Sequence, residues 1–231
     1  MENREAKSAL FDQLAVVGKA FASAKRLELL DLLSQGERTV ESRAREAGLG
    51  VSTASAHLQV LKLSNLVTTR REGTRIHYRL AGEDVARLYA SMQTVARSHS
   101  ADVDRALASY LGVTTLGGTD GGVVEISREE LRSLLETGDV VLLDVRPPEE
   151  FAAGHIPGAR SVPFGRLGED LSEIEGLSEE ADIVAYCRGA YCVLAHDAVR
   201  LLQSQGRRAR RLEEGLLEWR TEGNPVEVGA A

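Results

Sequence analysis

Cysteine is nearly missing from this chain of 231 residues: there are two, Cys187 and Cys192, and none in residues 1–110. A thiolate site for a metal or metalloid in that first half is therefore excluded. Histidine offers no substitute there, because His57, His77 and His99 fall on separate predicted elements without the carboxylate cluster that zinc needs. No metal and no cofactor are expected. Long apolar runs are also absent, none approaching the roughly 18 residues of a membrane span, so no membrane partner is expected. Met1-Glu2-Asn3-Arg4-Glu5 is charged and lacks an apolar core before a small-residue cleavage site, which predicts a cytoplasmic chain. In that reducing compartment two close cysteines point to reactivity rather than to a structural disulfide.

Charge is spread unevenly. Residues 1–110 hold 16 Lys and Arg against 13 Asp and Glu, whereas 111–231 hold 12 against 22. A mildly basic first half and an acidic second half imply different partners. Between them, residues 112–122 contain five glycines in eleven positions and little to bury, which reads as a flexible linker. Internal repeats are absent. The expected organisation is a first domain over 1–111, the linker 112–122 and a second domain over 123–231.

In the first half, Leu10, Leu14, Val17 and Phe21 mark one face of a helix, and Leu27, Leu30 and Leu33 mark a second that stops before Gly36. Thr39 can cap a run to about Ala47, Gly48 ends it, and a new helix runs from Gly50–Ser52 to about Leu63. Two helices joined by a short Gly-containing turn predict a helix-turn-helix. In the second, Ala54, Leu58 and Leu61 face inward, leaving Ser52, Ser55, Gln59 and Lys62 on the opposite stripe, flanked by Thr53 and His57. Short hydroxyl and amide groups suit base edges, and Lys62 suits a phosphate. The bland alternatives are that Ser52 only caps and that His57 satisfies a backbone group. Residues 66–71 and 75–80 alternate in hydrophobicity across Glu72-Gly73-Thr74, a hairpin pattern. Ile76, Tyr78 and Leu80 point one way, Arg75, His77 and Arg79 the other, and with Arg70 and Arg71 they form a basic wing suited to the phosphate backbone.

These segments, Val51 to Lys62 followed by Arg70 to Leu80, resemble the ArsR family of winged-helix repressors over roughly residues 8–110. The resemblance implies a homodimer on a double-stranded DNA operator with two-fold symmetry. A stretch from Glu83 to Leu111 without Gly or Pro agrees, since Val85, Leu88, Tyr89, Met92, Val95, Ala96, Val103, Leu107 and Tyr110 form a helical stripe that needs a partner surface. The first helix and its symmetry mate are the expected cover.

In the second half, Asp182 to Tyr186 reads as a buried strand and Val193 to Gln203 as a helix, with Leu194, Ala198, Leu201 and Leu202 at helical spacing. Cys187-Arg188-Gly189-Ala190-Tyr191-Cys192 joins them. A sulfur anion at Cys187 would face the helix N-terminus, which predicts a lowered pKa. Cys192 either packs inward or supplies a second thiol. Together with Leu142 to Arg146, Glu149-Glu150-Phe151, His155 to Ala159 and Glu213 to Trp219, this loop resembles a rhodanese domain over about 123–228. That resemblance implies an α/β fold with a central parallel sheet and sulfane-sulfur transfer through a persulfide on Cys187. It also implies an anion-holding role for Arg188, which could instead be a solvated loop charge. It implies as well that Gly189, Ala190 and Tyr191 form the substrate-binding loop. The loop departs from the family at its sixth position, where Cys192 replaces the common Arg; a thiol there can resolve a persulfide into a disulfide or bridged polysulfide. Asp144, Arg146 and Glu150 are expected to be structural, with Arg146 and Glu150 as an ion pair. His155 is expected to pack the loop, and Arg207, Arg208, Arg210 and Arg211 to form a solvated strand face.

The expected whole is a multidomain chain: a helical winged helix-turn-helix domain followed by an α/β rhodanese-like domain with a central parallel sheet. The expected function is a DNA-binding regulator that senses or transfers sulfane sulfur from thiosulfate, polysulfide or a persulfide. A sulfurtransferase for which the winged helix supplies location or dimerisation is the alternative.

Overall fold

A computed structural model describes residues 2–112, 123–138, 140–167 and 180–229. The expected linker lies outside the described residues except for Gly112. The chain divides into two compact units, 1–89 and 90–231, and the division falls inside one helix. Among the described residues no helix is long and apolar enough to cross a membrane.

The first unit contains α1 (Glu2–Phe21), α2 (Ala24–Ser34), β1 (Arg38–Thr39), α3 (Val40–Glu46), α4 (Val51–Leu63), β2 (Val67–Glu72), β3 (Arg75–Leu80) and the start of α5 (Glu83–His99). Leu29, Leu30, Leu33, Ala54, Leu58 and Leu61 are buried together with Tyr78 and Ala86, so the inward stripes of α2 and α4 meet the sheet. The sheet order is β1-β3-β2, all antiparallel, with Arg70 opposite His77 and Glu72 opposite Arg75 across the hairpin. Its turn needs Gly73 at φ +58, a left-handed conformation that glycine adopts without a Cβ penalty. Asn65, at φ +57, reverses the chain between α4 and β2, a conformation that asparagine tolerates better than most side chains. On α1, Leu10 (58% exposed), Phe11 (57%) and Leu14 (58%) lie open in the single chain.

The long helical stripe expected over 83–111 is corrected: α5 ends at His99, Ser100 turns extended (φ −130, ψ 101), and α6 (Ala101–Leu111) begins. Charge favours the break. Arg97 and His99 complete the last turn of α5, and Asp102 and Asp104 open the first turn of α6, so each helix end meets charge that complements its dipole. The cover of α6 differs too: it packs on α9 (Val193–Ser204), and its Leu107, Ala108 and Leu111 are buried within the single chain. Gly112 ends α6 at φ +68.

The rest of the second unit is β4 (Glu125–Ile126), α7 (Arg128–Thr137), β5 (Val141–Asp144), α8 (Pro148–Ala153), β6 (Arg160–Ser161), β7 (Asp182–Tyr186), α9, β8 (Arg208–Leu212) and α10 (Leu216–Thr221). Five parallel strands run in the order β4-β8-β7-β5-β6. The central β7 is covered on both faces: Ile183 and Ala185 pack with Ala198, Val199 and Leu202 of α9, while Val184 and Tyr186 pack with Leu131, Leu216 and Trp219. Such two-sided burial is why this strand is an unbroken apolar run rather than an alternating one.

Candidate functional site

The thiol loop starts at the carboxyl end of β7 and ends at Cys192, the N-cap of α9. Both cysteines are free, yet their surroundings differ. Cys187 is 2% exposed inside the apolar cluster with Leu143, Val145 and Ala195, and its S–H donates to the Cys192 carbonyl at 3.4 Å. Burial pushes the Cys187 thiol well above its ordinary value, outweighing the main-chain N–H of Ala195. Cys192 is half-buried and shifts the other way, lowered first by the hydrogen bond from Cys187 and then by main-chain N–H groups of Arg188 and Leu194. The helix start thus acts on both sulfurs, and at Cys187 burial outweighs it, so the lowered pKa expected there is corrected.

Arg188 is held away from a donor role by a fork onto Glu150: Nε lies 2.9 Å from Oε2 and Nη2 lies 2.7 Å from Oε1. The Glu150 side chain is 2% exposed and that of Arg188 19%, so this is a pair mostly out of water. Glu150 therefore pairs with Arg188, while its charge also raises the Arg146 guanidinium. Arg146 forks onto the fully buried Asp144, and Nη2 also donates to the Gly154 carbonyl at 2.7 Å. The Tyr186 hydroxyl donates to Asp144 Oδ2 at 2.7 Å and accepts the Ile156 N–H at 3.0 Å, tying the end of β7 to the 155–159 turn. His155 stacks on Phe151 with ring centroids 3.7 Å apart. The solvated face expected of the Arg pairs is corrected in part: Arg211 is buried and pairs with Glu125, and Arg210 bridges Glu130 and Asp182, both at 2.6 Å.

Two residues that sequence reasoning left without a role shape the loop. Glu218 is buried, with Oε2 accepting the Gly215 N–H at 3.0 Å and Oε1 accepting that of Ala190 at 3.4 Å. A loop amide that could face an anion thus already faces a carboxylate. At Gly215 a Cβ would lie 2.4 Å from the Gly189 nitrogen and 2.5 Å from the Cys187 carbonyl oxygen, so only glycine lets α10 approach. There the Leu216 and Leu217 N–H groups donate to the Cys187 and Arg188 carbonyls, both at 3.0 Å. The only signal for either was the Glu213 to Trp219 motif itself. Gly189 and Ala190 are buried; Tyr191 is half-buried and its hydroxyl donates to the Gln93 carbonyl of α5 at 3.3 Å. Beside it a cavity of about 310 Å³ is lined by Gln93, Arg97, Asp104, Ala190, Glu213 and Glu218, among others. Acidic groups outnumber basic ones there.

On the first unit, Ser52, Thr53, Gln59 and Lys62 are exposed on α4, and Ser55 and His57 are half-buried. Gln59 is not wholly directed outward, because its amide donates to the Tyr78 hydroxyl at 3.2 Å. On the wing Arg71, Arg75 and Arg79 are exposed, while Arg70 pairs with Glu37 and Glu72 at 2.7 and 2.8 Å. His77 is half-buried between the same two carboxylates, each 3.6 Å away. The α4 stripe and the wing are thus brought together on one unit, but Arg70 is paired with carboxylates and His77 lies between the same two.

Two family models match the chain. "Bacterial regulatory protein, arsR family" matches residues 23–69 and "Rhodanese-like domain" matches residues 127–222. The HTH-type transcriptional regulator Rv0324 of Mycobacterium tuberculosis is 54% identical over 224 residues, covering 97% of this chain and 94% of that protein. A sulfurtransferase of Allochromatium vinosum is 36% identical over 106 residues, covering 45% of this chain and 94% of that one. Among solved structures, the homodimeric winged helix-turn-helix DNA-binding domain of Mb0332 from Mycobacterium bovis is 60% identical with a TM-score of 0.39, covering 41% of this chain and 87% of that chain.

Proposed function

This chain belongs to the ArsR-type transcriptional regulators that carry a C-terminal rhodanese-like domain, and we propose that it is a cytoplasmic, homodimeric DNA-binding repressor that responds to sulfane sulfur through Cys187 and Cys192. The observation that carries the reading is the meeting of both cysteines in one hydrogen-bonded loop in which Tyr191, the residue before Cys192, is tied to α5. DNA contact is assigned to Ser52, Thr53, Ser55, His57, Gln59 and Lys62 on α4, and to Arg71, Arg75 and Arg79 on the wing, with Arg70 and His77 supporting the wing through their carboxylate partners. Dimerisation is assigned to the open apolar face of α1, where Leu10, Phe11 and Leu14 are each more than half exposed.

The chemistry needs only a persulfide donor, R–S–SH. A loop thiolate attacks the outer sulfur, a new S–S bond forms, the R–S bond to that sulfur breaks and R–S⁻ leaves, giving a persulfide on Cys187. The other thiol can then attack the inner sulfur, which closes a Cys187–Cys192 disulfide and releases H₂S. Either product changes the volume and hydrogen bonding of the loop. Because Tyr191 joins this loop to α5, the change reaches the helix that follows the wing.

The rival reading is a sulfurtransferase, favoured by the match to the Allochromatium protein over this half of the chain. Steady thiosulfate turnover is disfavoured by Arg188 being held on Glu150 and by the acidic cavity. The test is operator binding by fluorescence anisotropy before and after polysulfide, with sulfur uptake measured on the same sample. Release that requires the cysteines supports the sensor. Sulfur uptake and turnover with unchanged operator affinity would sink it.

A further inference from the structure

We propose that the cavity beside Tyr191 is a binding site for a free α-amino acid, whose ammonium is held by Asp104, Glu213 and the side-chain carbonyl of Gln93 and whose carboxylate is held by Arg97. The site is independent of the sulfur chemistry above, since it uses neither cysteine.

Every residue that lines the cavity belongs to the second unit. One stripe of α5 supplies Ala90, Gln93 and Arg97 at helical spacing, the first turn of α6 supplies Asp104, and the thiol loop and the turn before α10 supply Ala190 and Glu213. The volume of about 310 Å³ suits a small molecule.

Gln93 points to a ligand. The residue is 7% exposed, and its side-chain Oε1 is buried without a hydrogen-bond partner among the described residues. The Tyr191 hydroxyl does not serve it, because that bond goes to the Gln93 main-chain carbonyl. A buried carbonyl without a donor is destabilising, and native folds rarely keep one unless something outside the chain donates to it. What suits Oε1 is a donor carried in by a ligand.

The charges select the class of that ligand. Glu214 is paired with Arg128 at 2.9 Å, and Glu218 accepts the Gly215 and Ala190 N–H groups. Asp104 and Glu213 remain, in no ion pair among the described residues, and the half-buried Arg97 is in none either. Carboxylates that share a cavity with a bare carbonyl oxygen take an ammonium, which has three donors and no acceptor. A guanidinium takes a carboxylate, whose two oxygens match its fork. Among the described residues no three His, Cys, Asp or Glu side chains converge to hold a metal ion. Acids spread along the walls favour an extended zwitterion over a point cation.

Isothermal titration calorimetry on the full-length reduced protein tests the site, with each proteinogenic α-amino acid as probe and with ethylamine, putrescine and propionate as partial ligands. At least one amino acid should bind with a Kd of about 1 mM or tighter, and each partial ligand at least about tenfold more weakly. Arg97→Gln and Gln93→Leu should each weaken that amino acid at least about tenfold. Thermal unfolding of Gln93→Leu, followed by Trp219 fluorescence, should come no earlier than in the parent protein, because the carbonyl removed has no partner in the fold. Binding by no amino acid at that level, equal binding of putrescine, or unchanged binding in both variants overturns the proposal. Earlier unfolding of Gln93→Leu overturns it too, since the amide would then serve the fold rather than a ligand.

Discussion

Truncating Arg188 to alanine separates two accounts of this side chain, as an anion holder for the sulfur donor and as the partner of a buried carboxylate. In Arg188→Ala, Glu150 is left in a site where its side chain is 2% exposed, stripped of contacts at 2.7, 2.9 and 3.2 Å. Removing one member of a buried pair costs about 3–5 kcal/mol because the remaining charge is left without compensation. Arg188 itself is 19% exposed, so water can enter the space it leaves, and the expected cost is about 3 kcal/mol, the low end of that range. With a urea slope of about 2 kcal/mol/M the unfolding midpoint should fall by about 1.5 M. Trp219 makes the assay local: it is the only tryptophan, it is buried, and its indole N–H donates to the Pro225 carbonyl at 2.8 Å. Its fluorescence therefore follows the unit that contains the pair. Adding Glu150→Gln to Arg188→Ala should recover part of the loss, with a coupling of at least about 1 kcal/mol between the two sites. A midpoint shift below about 0.3 M, accompanied by collapse of sulfur uptake, would refute the argument and return Arg188 to the donor.

Other perturbations follow from the same contacts. Gly215→Ala places a Cβ against the backbone at Gly189 and Cys187, and should cost about 3 kcal/mol or more in the Trp219-monitored transition; wild-type stability would show that α10 can move away. Tyr191→Phe removes the hydroxyl donor to the Gln93 carbonyl and should cost only about 1 kcal/mol, yet sulfur-loaded protein should no longer change its operator affinity, while retention of the full response would exclude this route. The alkylation rate of Cys192 should rise with pH through a midpoint below the ordinary thiol value, since its lowered pKa keeps the thiolate populated as pH falls; a midpoint above that value would contradict the assignment. Replacing both Leu10 and Leu14 by Asp should leave the chain folded, because both are exposed, while light scattering shows monomer where the parent protein shows dimer.

Much of the architecture was legible because it is coded locally. The inward stripe Ala54, Leu58 and Leu61 and the hairpin about Gly73 follow from periodicity and one glycine, and the apolar run ending at Tyr186 announced a central strand. The thiol loop was legible as well, since strand, loop and helix follow one another without interruption. Less was legible where partners come from distant elements. Glu150 meets Arg188 across 38 positions and Ala190 meets Glu218 across 28, and no spacing rule reports which acid finds which cation once five parallel strands cross over.

The order of residues by itself determined which segments are helical or extended, that both cysteines share one loop, and that the basic wing follows the recognition helix. Tertiary structure alone decided which sulfur burial raises and which is lowered, that Ser100 divides the long helix, and that α6 rests on α9. The reason is physical: backbone periodicity is a property of neighbours in sequence, whereas desolvation and charge pairing depend on what the fold brings from elsewhere.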